Sequence, residues 1–211
     1  MTQARLLTPE QLAARLDDPN LVLLDCRFAL EDPAYGARSY QENHIPGAHF
    51  ADLNRDLSAP VRPGVTGRHP LPDPQHLLEK LRGWGLNADS EVVLYDDGPG
   101  AFAARAWWLL LWLGKSEGVY LLDGGLTAWR NAGQRLTTAE TPVRPGDFEG
   151  QPDNSLLISA SELASKTRRR RAAADRRPRP AALPWRGGAH RPGGRAHSRR
   201  PVRGLHRQPR Q

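Results

Sequence analysis

The chain has one cysteine, Cys26, among 211 residues, so it forms no intrachain disulfide and carries no cysteine-based metal cage. Nothing in it calls for an oxidising compartment. It also lacks any long apolar run. The longest stretch, from Ala106 to Gly114, falls far short of the roughly 20 residues that span a bilayer. No signal peptide precedes the first helical pattern, and a soluble cytoplasmic protein is the expectation. Acidic residues are nearly missing from the end of the chain. From Lys166 onward there are 15 Arg, one Lys and one Asp, a net of +15. Up to Ser165, 14 Lys and Arg face 22 Asp and Glu, a net of −8, so the overall +7 is a property of the tail. That tail is also nearly devoid of Ile, Val and Phe. It cannot bury a core and is expected to be disordered over residues 166–211.

What is present organises itself around Glu91 to Gly114. Val92-Val93-Leu94-Tyr95 reads as a strand buried on both faces. Asp96-Asp97-Gly98-Pro99-Gly100 breaks it with turn-forming residues. Ala101 to Leu113 is apolar on nearly every side and reads as an interior helix. A strand, a glycine-containing loop and a helix aim backbone N–H groups and a helix dipole into the loop. A functional site is sought there first, and the residue at the strand's exit is Asp96.

Around this centre, Thr8-Pro9-Glu10-Gln11 and Asp73-Pro74 are helix starts with a capping residue followed by proline. Leu21 to Asp25 and Val119 to Leu122 are further buried strands, and Leu77, Leu78 and Leu81 form a helical stripe. Ala48-His49-Phe50 follows a Pro-Gly turn as a short strand, and Leu126 to Asn131 is a short helix. Ala29 to Asn43 is polar and turn-rich and reads as a connection. Strands alternating with helices predict an α/β domain, a central parallel sheet flanked by helices, over residues 5–145. Residues 146–165 read as a linker and the beginning of another unit, with Ser159-Ala160-Ser161-Glu162 as a helix start.

Six short strings carry a resemblance. They are Leu23-Leu24-Asp25-Cys26-Arg27, His44-Ile45-Pro46-Gly47-Ala48 and His69-Pro70-Leu71-Pro72. Then come Val93-Leu94-Tyr95-Asp96, Arg105-Ala106-Trp107-Trp108 and Leu122-Asp123-Gly124-Gly125-Leu126-Thr127-Ala128-Trp129. In this order they resemble the amino-terminal half of tandem-domain sulfurtransferases of the rhodanese or 3-mercaptopyruvate type, over roughly residues 5–165. The resemblance implies a rhodanese-like three-layer fold. It also implies, in complete members, transfer of sulfane sulfur from thiosulfate or 3-mercaptopyruvate to a thiol or cyanide. The partners so implied are a small sulfur donor and a thiol acceptor, with no cofactor. In such proteins a cysteine opening the loop of the second domain forms the persulfide. Asp96 stands at that position here. A carboxylate fits an N–H cradle but has no sulfur, so this domain is expected to be a scaffold with no catalytic residue.

Other readings of the same residues are weaker. Cys26 follows a buried strand and reads as structural, although Arg27 beside it would lower a thiol pKa. Gly98-Pro99-Gly100 with Arg105 lacks the spacing of a phosphate loop, and two acidic residues precede it. His44, His49, His69 and His76 have no helical metal-ligand spacing. Trp107, Trp108 and Trp112 read as core and domain-interface residues. The arginine-rich tail carries the competing reading, non-specific contact with nucleic acid through phosphate neutralisation. Its abrupt onset also matches GC-rich coding sequence read out of frame.

Overall fold

A computed structural model of the protein describes residues 4–175, and their side chains through residue 168. Residues 4–159 form one compact unit. Its elements alternate: β1 (Arg5–Leu7), α1 (Pro9–Ala13), β2 (Leu21–Asp25), α2 (Tyr35–Glu42), β3 (Ala48–Phe50), α3 (Pro74–Gly83), β4 (Glu91–Tyr95), α4 (Ala101–Trp112), β5 (Val119–Leu122) and α5 (Gly125–Asn131). The five strands make one parallel sheet in the order β1-β5-β4-β2-β3, the predicted α/β architecture.

The sheet alternates its side chains between two cores, as strand period requires. Val22, Leu24, Val92 and Leu94 pack on one face against α3 and α4. Leu23, Val93, Tyr95 and Leu122 pack on the other, with Leu12 of α1 and Trp129 of α5. Both predicted helix starts are capped: Gln11 N–H donates to Thr8 Oγ1 (3.3 Å) and His76 N–H to Asp73 Oδ1 (3.0 Å).

Three features differ from the sequence reading. The connection from Ala29 to Asn43 contains α2, a helix without a capping side chain whose only fully buried residue is Gly36. Its glycine is required by contact, since a Cβ there would stand 2.0 Å from the Arg27 carbonyl oxygen. β1 is a three-residue edge strand held by β5, too short to show a period. The packed chain also runs past residue 145: Phe148 is buried, and its N–H donates to Leu86 O (3.0 Å). Asp153 N–H likewise donates to Trp112 O (2.7 Å). Of the tail, residues 166–175 continue α6 (Ala160–Asp175), and the rest lies outside the described residues. No helix among the described residues is long and apolar enough to cross a membrane.

Polar groups are buried at the carboxyl end of β2. The Asp25 carboxylate is fully buried and accepts from Arg27 Nε (2.9 Å) and Nη2 (2.6 Å) and from Tyr95 Oη (2.9 Å). Arg27 Nη2 also donates to Asn43 O (2.7 Å), fixing the end of α2. Removing one member of a buried pair strands the other charge, at a cost of about 3–5 kcal/mol. Arg27→Met is expected to lose about that much stability in urea denaturation, and the double variant Asp25→Leu with Arg27→Met markedly less. A single variant as stable as the parent would show that this pair does not hold β2 to α2.

Candidate functional site

β4 delivers Asp96 into the mouth of the loop, and the loop closes on it. Oδ1 accepts from the N–H groups of Gly98 (3.0 Å) and Gly100 (3.1 Å). Oδ2 accepts from Phe102 (3.0 Å) and Ala103 (3.1 Å), in the first turn of α4. Those last two are donors that every helix leaves without an internal partner. The residue at the usual capping position, Gly100, has φ +81° and offers no side chain, so Asp96 caps α4 from four residues upstream. Asp96 is 2% exposed, and its carboxylate lies where the helix dipole favours a negative group.

The surroundings fix this arrangement. Leu126 N–H donates to the Asp96 carbonyl (2.9 Å), joining the loop to α5. Gly125, at φ +56°, approaches so closely that a Cβ would lie 2.3 Å from that carbonyl oxygen. On the solvent side, Tyr35 Oη of α2 donates to Asp97 Oδ2. A cavity of about 460 Å³ opens beside the loop, lined by Pro99, Gly100, Ala103, Leu121 and Asp123. Its polar floor is acidic, and the four amides that would hold an incoming anion are already bonded to Asp96.

The other sequence candidates are scattered. Cys26 is 1% exposed, and burial, then the nearby Asp25 and Asp96 carboxylates, push its thiol well above the ordinary value of 9.0. Arg27 does not activate it, because that guanidinium is committed to Asp25. Arg105 turns from the loop and donates from Nη2 to Leu57 O (3.3 Å) and Pro70 O (3.1 Å), so no phosphate cradle forms. His44 stacks on Tyr40 and bonds through its ring nitrogens to Tyr40 O (2.7 Å) and Ala139 O (3.1 Å). His69 packs edge-on against Phe28 beside Arg68, and burial, then Arg68 and Arg105, lower its pKa. Among the described residues no three His, Cys, Asp or Glu come together as metal ligands. Trp112 is buried, and Trp108 stacks on it with 6.2 Å between ring centroids.

Sequence reasoning missed the Tyr35–Asp97 contact, because α2 was not legible. It also missed Ser58, whose buried Oγ has no partner at the edge of a second cavity of about 370 Å³ lined by Phe28, Arg68 and His69. A small polar residue in a proline-rich excursion gives no sequence signal for this.

Comparison with known proteins shows what the chain is similar to. The family described as Rhodanese-like domain matches residues 8–132. A probable 3-mercaptopyruvate sulfurtransferase from Pseudomonas aeruginosa is 74% identical over 166 residues, covering 79% of this chain and 58% of that protein. Among solved structures, SseA from Escherichia coli, described with the rhodanese fold of 3-mercaptopyruvate sulfotransferases, superposes with a TM-score of 0.70 at 28% identity. That superposition covers 80% of this chain and 63% of SseA. The 3-mercaptopyruvate sulfurtransferase of Leishmania major gives 0.62 at 31% identity, covering 69% of this chain and 40% of that one. The chain spans about half the length of the curated relatives it matches.

Replacing Asp96 by Asn tests the cradle. The amide keeps one acceptor oxygen but turns an NH₂ group towards two backbone donors, and unsatisfied buried groups of this kind cost about 1–3 kcal/mol each. Asp96→Asn is expected to lose about 3 kcal/mol in urea denaturation, with Asp97→Asn losing under about 1 kcal/mol. Equal losses at the two positions would show that the four amides do not depend on the carboxylate.

Proposed function

Because the chain belongs to the rhodanese-like domain family, we propose that it is the non-catalytic, amino-terminal scaffold of a tandem 3-mercaptopyruvate or thiosulfate sulfurtransferase, inactive by itself. One observation carries the reading: the Asp96 carboxylate fills the loop and takes four backbone N–H donors. Persulfide chemistry places a sulfur anion in such a cradle, where the donor's sulfur is attacked and held. A carboxylate oxygen supplies the charge without the sulfur. Cys26, the one thiol, is buried with its thiolate disfavoured, which argues against access for a donor. Small sulfur donors and thiol acceptors are then ligands of the complete tandem protein, with the cytoplasm as its compartment.

Purified chain is expected to release no sulfur from thiosulfate or 3-mercaptopyruvate above a buffer blank. It is also expected to gain no adduct of about 32 Da, the mass of one persulfide sulfur, in intact-mass spectra. Turnover that disappears in Cys26→Ser would overturn the scaffold reading, because the domain would then carry its own nucleophile.

The +15 charge from Lys166 onward favours a second reading, nucleic-acid contact by the tail. If the tail acts only through phosphate neutralisation, duplex DNA binds the full chain and not a chain ended at Ser165, with a steep salt slope and no sequence preference. Sequence-selective binding would instead mark an evolved interaction module. A second rhodanese-like domain with a loop cysteine, read in another frame beyond codon 165, would assign the tail to a frameshift.

A further inference from the structure

His44 stands before the Ile45-Pro46-Gly47 turn and is 1% exposed. Both of its ring nitrogens face carbonyl oxygens. Nδ1 lies 2.7 Å from Tyr40 O, and Nε2 lies 3.1 Å from Ala139 O. A neutral imidazole has one N–H and one lone pair, so it can serve only one of two acceptors. Its other nitrogen would then set a lone pair against a carbonyl oxygen in a buried place. An imidazolium donates to both, with charge-assisted bonds. The ring also stacks on Tyr40, with centroids 3.9 Å apart and planes 10° from parallel. A cation is favoured over such an aromatic face. Burial raises the Tyr40 phenol above its ordinary 10.0, so that face stays uncharged, and its Oη donates to Ala48 O (2.7 Å).

The two acceptors belong to different parts of the fold. Tyr40 lies in α2, whereas Ala139 lies in residues 134–141, the stretch that leaves α5 and reaches the outer strand β3. Three other ties hold that stretch. Trp129 Nε1 donates to Arg135 O (2.9 Å), and Thr141 Oγ1 donates to Ala48 O (2.8 Å). The backbones of His44 and Thr137 exchange two N–H···O bonds of 2.9 Å. Of these ties, only the His44 ring changes its donors around neutral pH. The ionisable groups on the elements that meet there are Tyr40 and Glu42 of α2, the Asp25–Arg27 pair, Arg130 of α5, and Arg135 and Glu140 of the stretch itself. Arg27 and Arg130 are both bonded to Asn43, through its O (2.7 Å) and its Oδ1 (2.6 Å). Carboxyls, phenols and guanidinium groups ordinarily titrate outside the histidine range.

We propose that His44 is a proton-dependent clasp: as an imidazolium it ties residues 134–141 to α2, and loss of its Nε2 proton to solvent releases them at Ala139. The shorter contact, to Tyr40 O, marks Nδ1 as the nitrogen that keeps its proton. Ala139 is exposed, which gives the Nε2 proton a short way out. Once that proton leaves, the Nε2 lone pair opposes the Ala139 carbonyl, and the neighbouring His44–Thr137 backbone pair loses its support. A histidine held as an imidazolium stabilises the folded state at low pH. That contribution is full below the unfolded value of about 6.5 and is lost as pH rises through the folded one. The clasp is therefore closed on the acid side and open on the alkaline side. The sheet centre, held by strand pairing and apolar packing, does not follow it.

The test is nuclear magnetic resonance of the full chain with labelled histidine rings, the His44 signals being assigned through its backbone. At about pH 6 two N–H groups are expected on the His44 ring, and at about pH 9 one, on Nδ1. Over the same range the protection of the Thr137 amide against hydrogen exchange, corrected for the intrinsic rate, is expected to fall about tenfold or more, the effect of losing one charge-assisted bond. The Val93 amide, in the middle of β4, is expected to keep its protection. His44→Phe preserves a ring on Tyr40 without donors, and is expected to give the low Thr137 protection at both pH values. A His44 ring with a single N–H at about pH 6 would overturn the proposal, as would Thr137 protection that does not change with pH. Both readings come from the parent chain, so they decide the matter even if the Phe variant fails to fold. A pH-dependent fall that persists in His44→Phe would overturn it too, because another group would then carry the effect.

Discussion

The bond set between one carboxylate and four backbone amides holds the centre of this domain. Asp96 closes the loop after β4, caps α4, and through its carbonyl accepts from the first turn of α5. Three elements meet at that residue, and each contributes a constraint a different side chain would fail. Gly100 gives the left-handed turn that aims the amides inward, and Gly125 gives the close approach from α5. A buried anion in this position needs no cation, because aligned N–H dipoles supply the compensating charge.

Asp25, at the end of the neighbouring strand β2, shows the other solution. It is compensated by a full charge, Arg27, and by the Tyr95 hydroxyl. Burial, with Asp25 beside it, pushes the Tyr95 phenol well above its ordinary 10.0, so it stays a donor. Cys26 sits under the influence of both carboxylates and far from solvent. Burial first, and then the two carboxylates at the ends of β2 and β4, disfavour the Cys26 thiolate.

The legible parts of the sequence were those in which a local rule and the tertiary fold agree. The buried strands, the Thr-Pro and Asp-Pro caps, the Leu77–Leu81 stripe and the importance of Asp96 all follow from period, capping and loop chemistry. α2 was illegible because its polar run carries no apolar stripe or capping side chain. Its position is set by non-local contacts, Gly36 against the Arg27 backbone and Asn43 O against the Arg27 guanidinium. β1 was hidden by its length, and the packed stretch through Asp153 by its Pro, Gly and Asp content. That composition reads as a linker although Phe148 anchors it in the core. The Tyr35–Asp97 contact inherits the invisibility of α2. What escaped, then, was held by contacts between distant residues rather than by sequence pattern.

The cradle itself does not distinguish a tethered anion from a visiting one. Four amides and a helix dipole favour any negative group of the right size, whether carboxylate, sulfur anion or oxyanion. Tethering decides between them, because a side chain on the loop has already lost the translational freedom that a free anion must give up on binding. Once Asp96 is in place, a dissolved sulfur anion would have to displace four bonds to gain four similar ones. It would also leave a desolvated carboxylate beside the loop. The same loop geometry therefore supports chemistry or rigidity according to one residue at the strand's exit. Here that residue is the rivet that joins β4, α4 and α5.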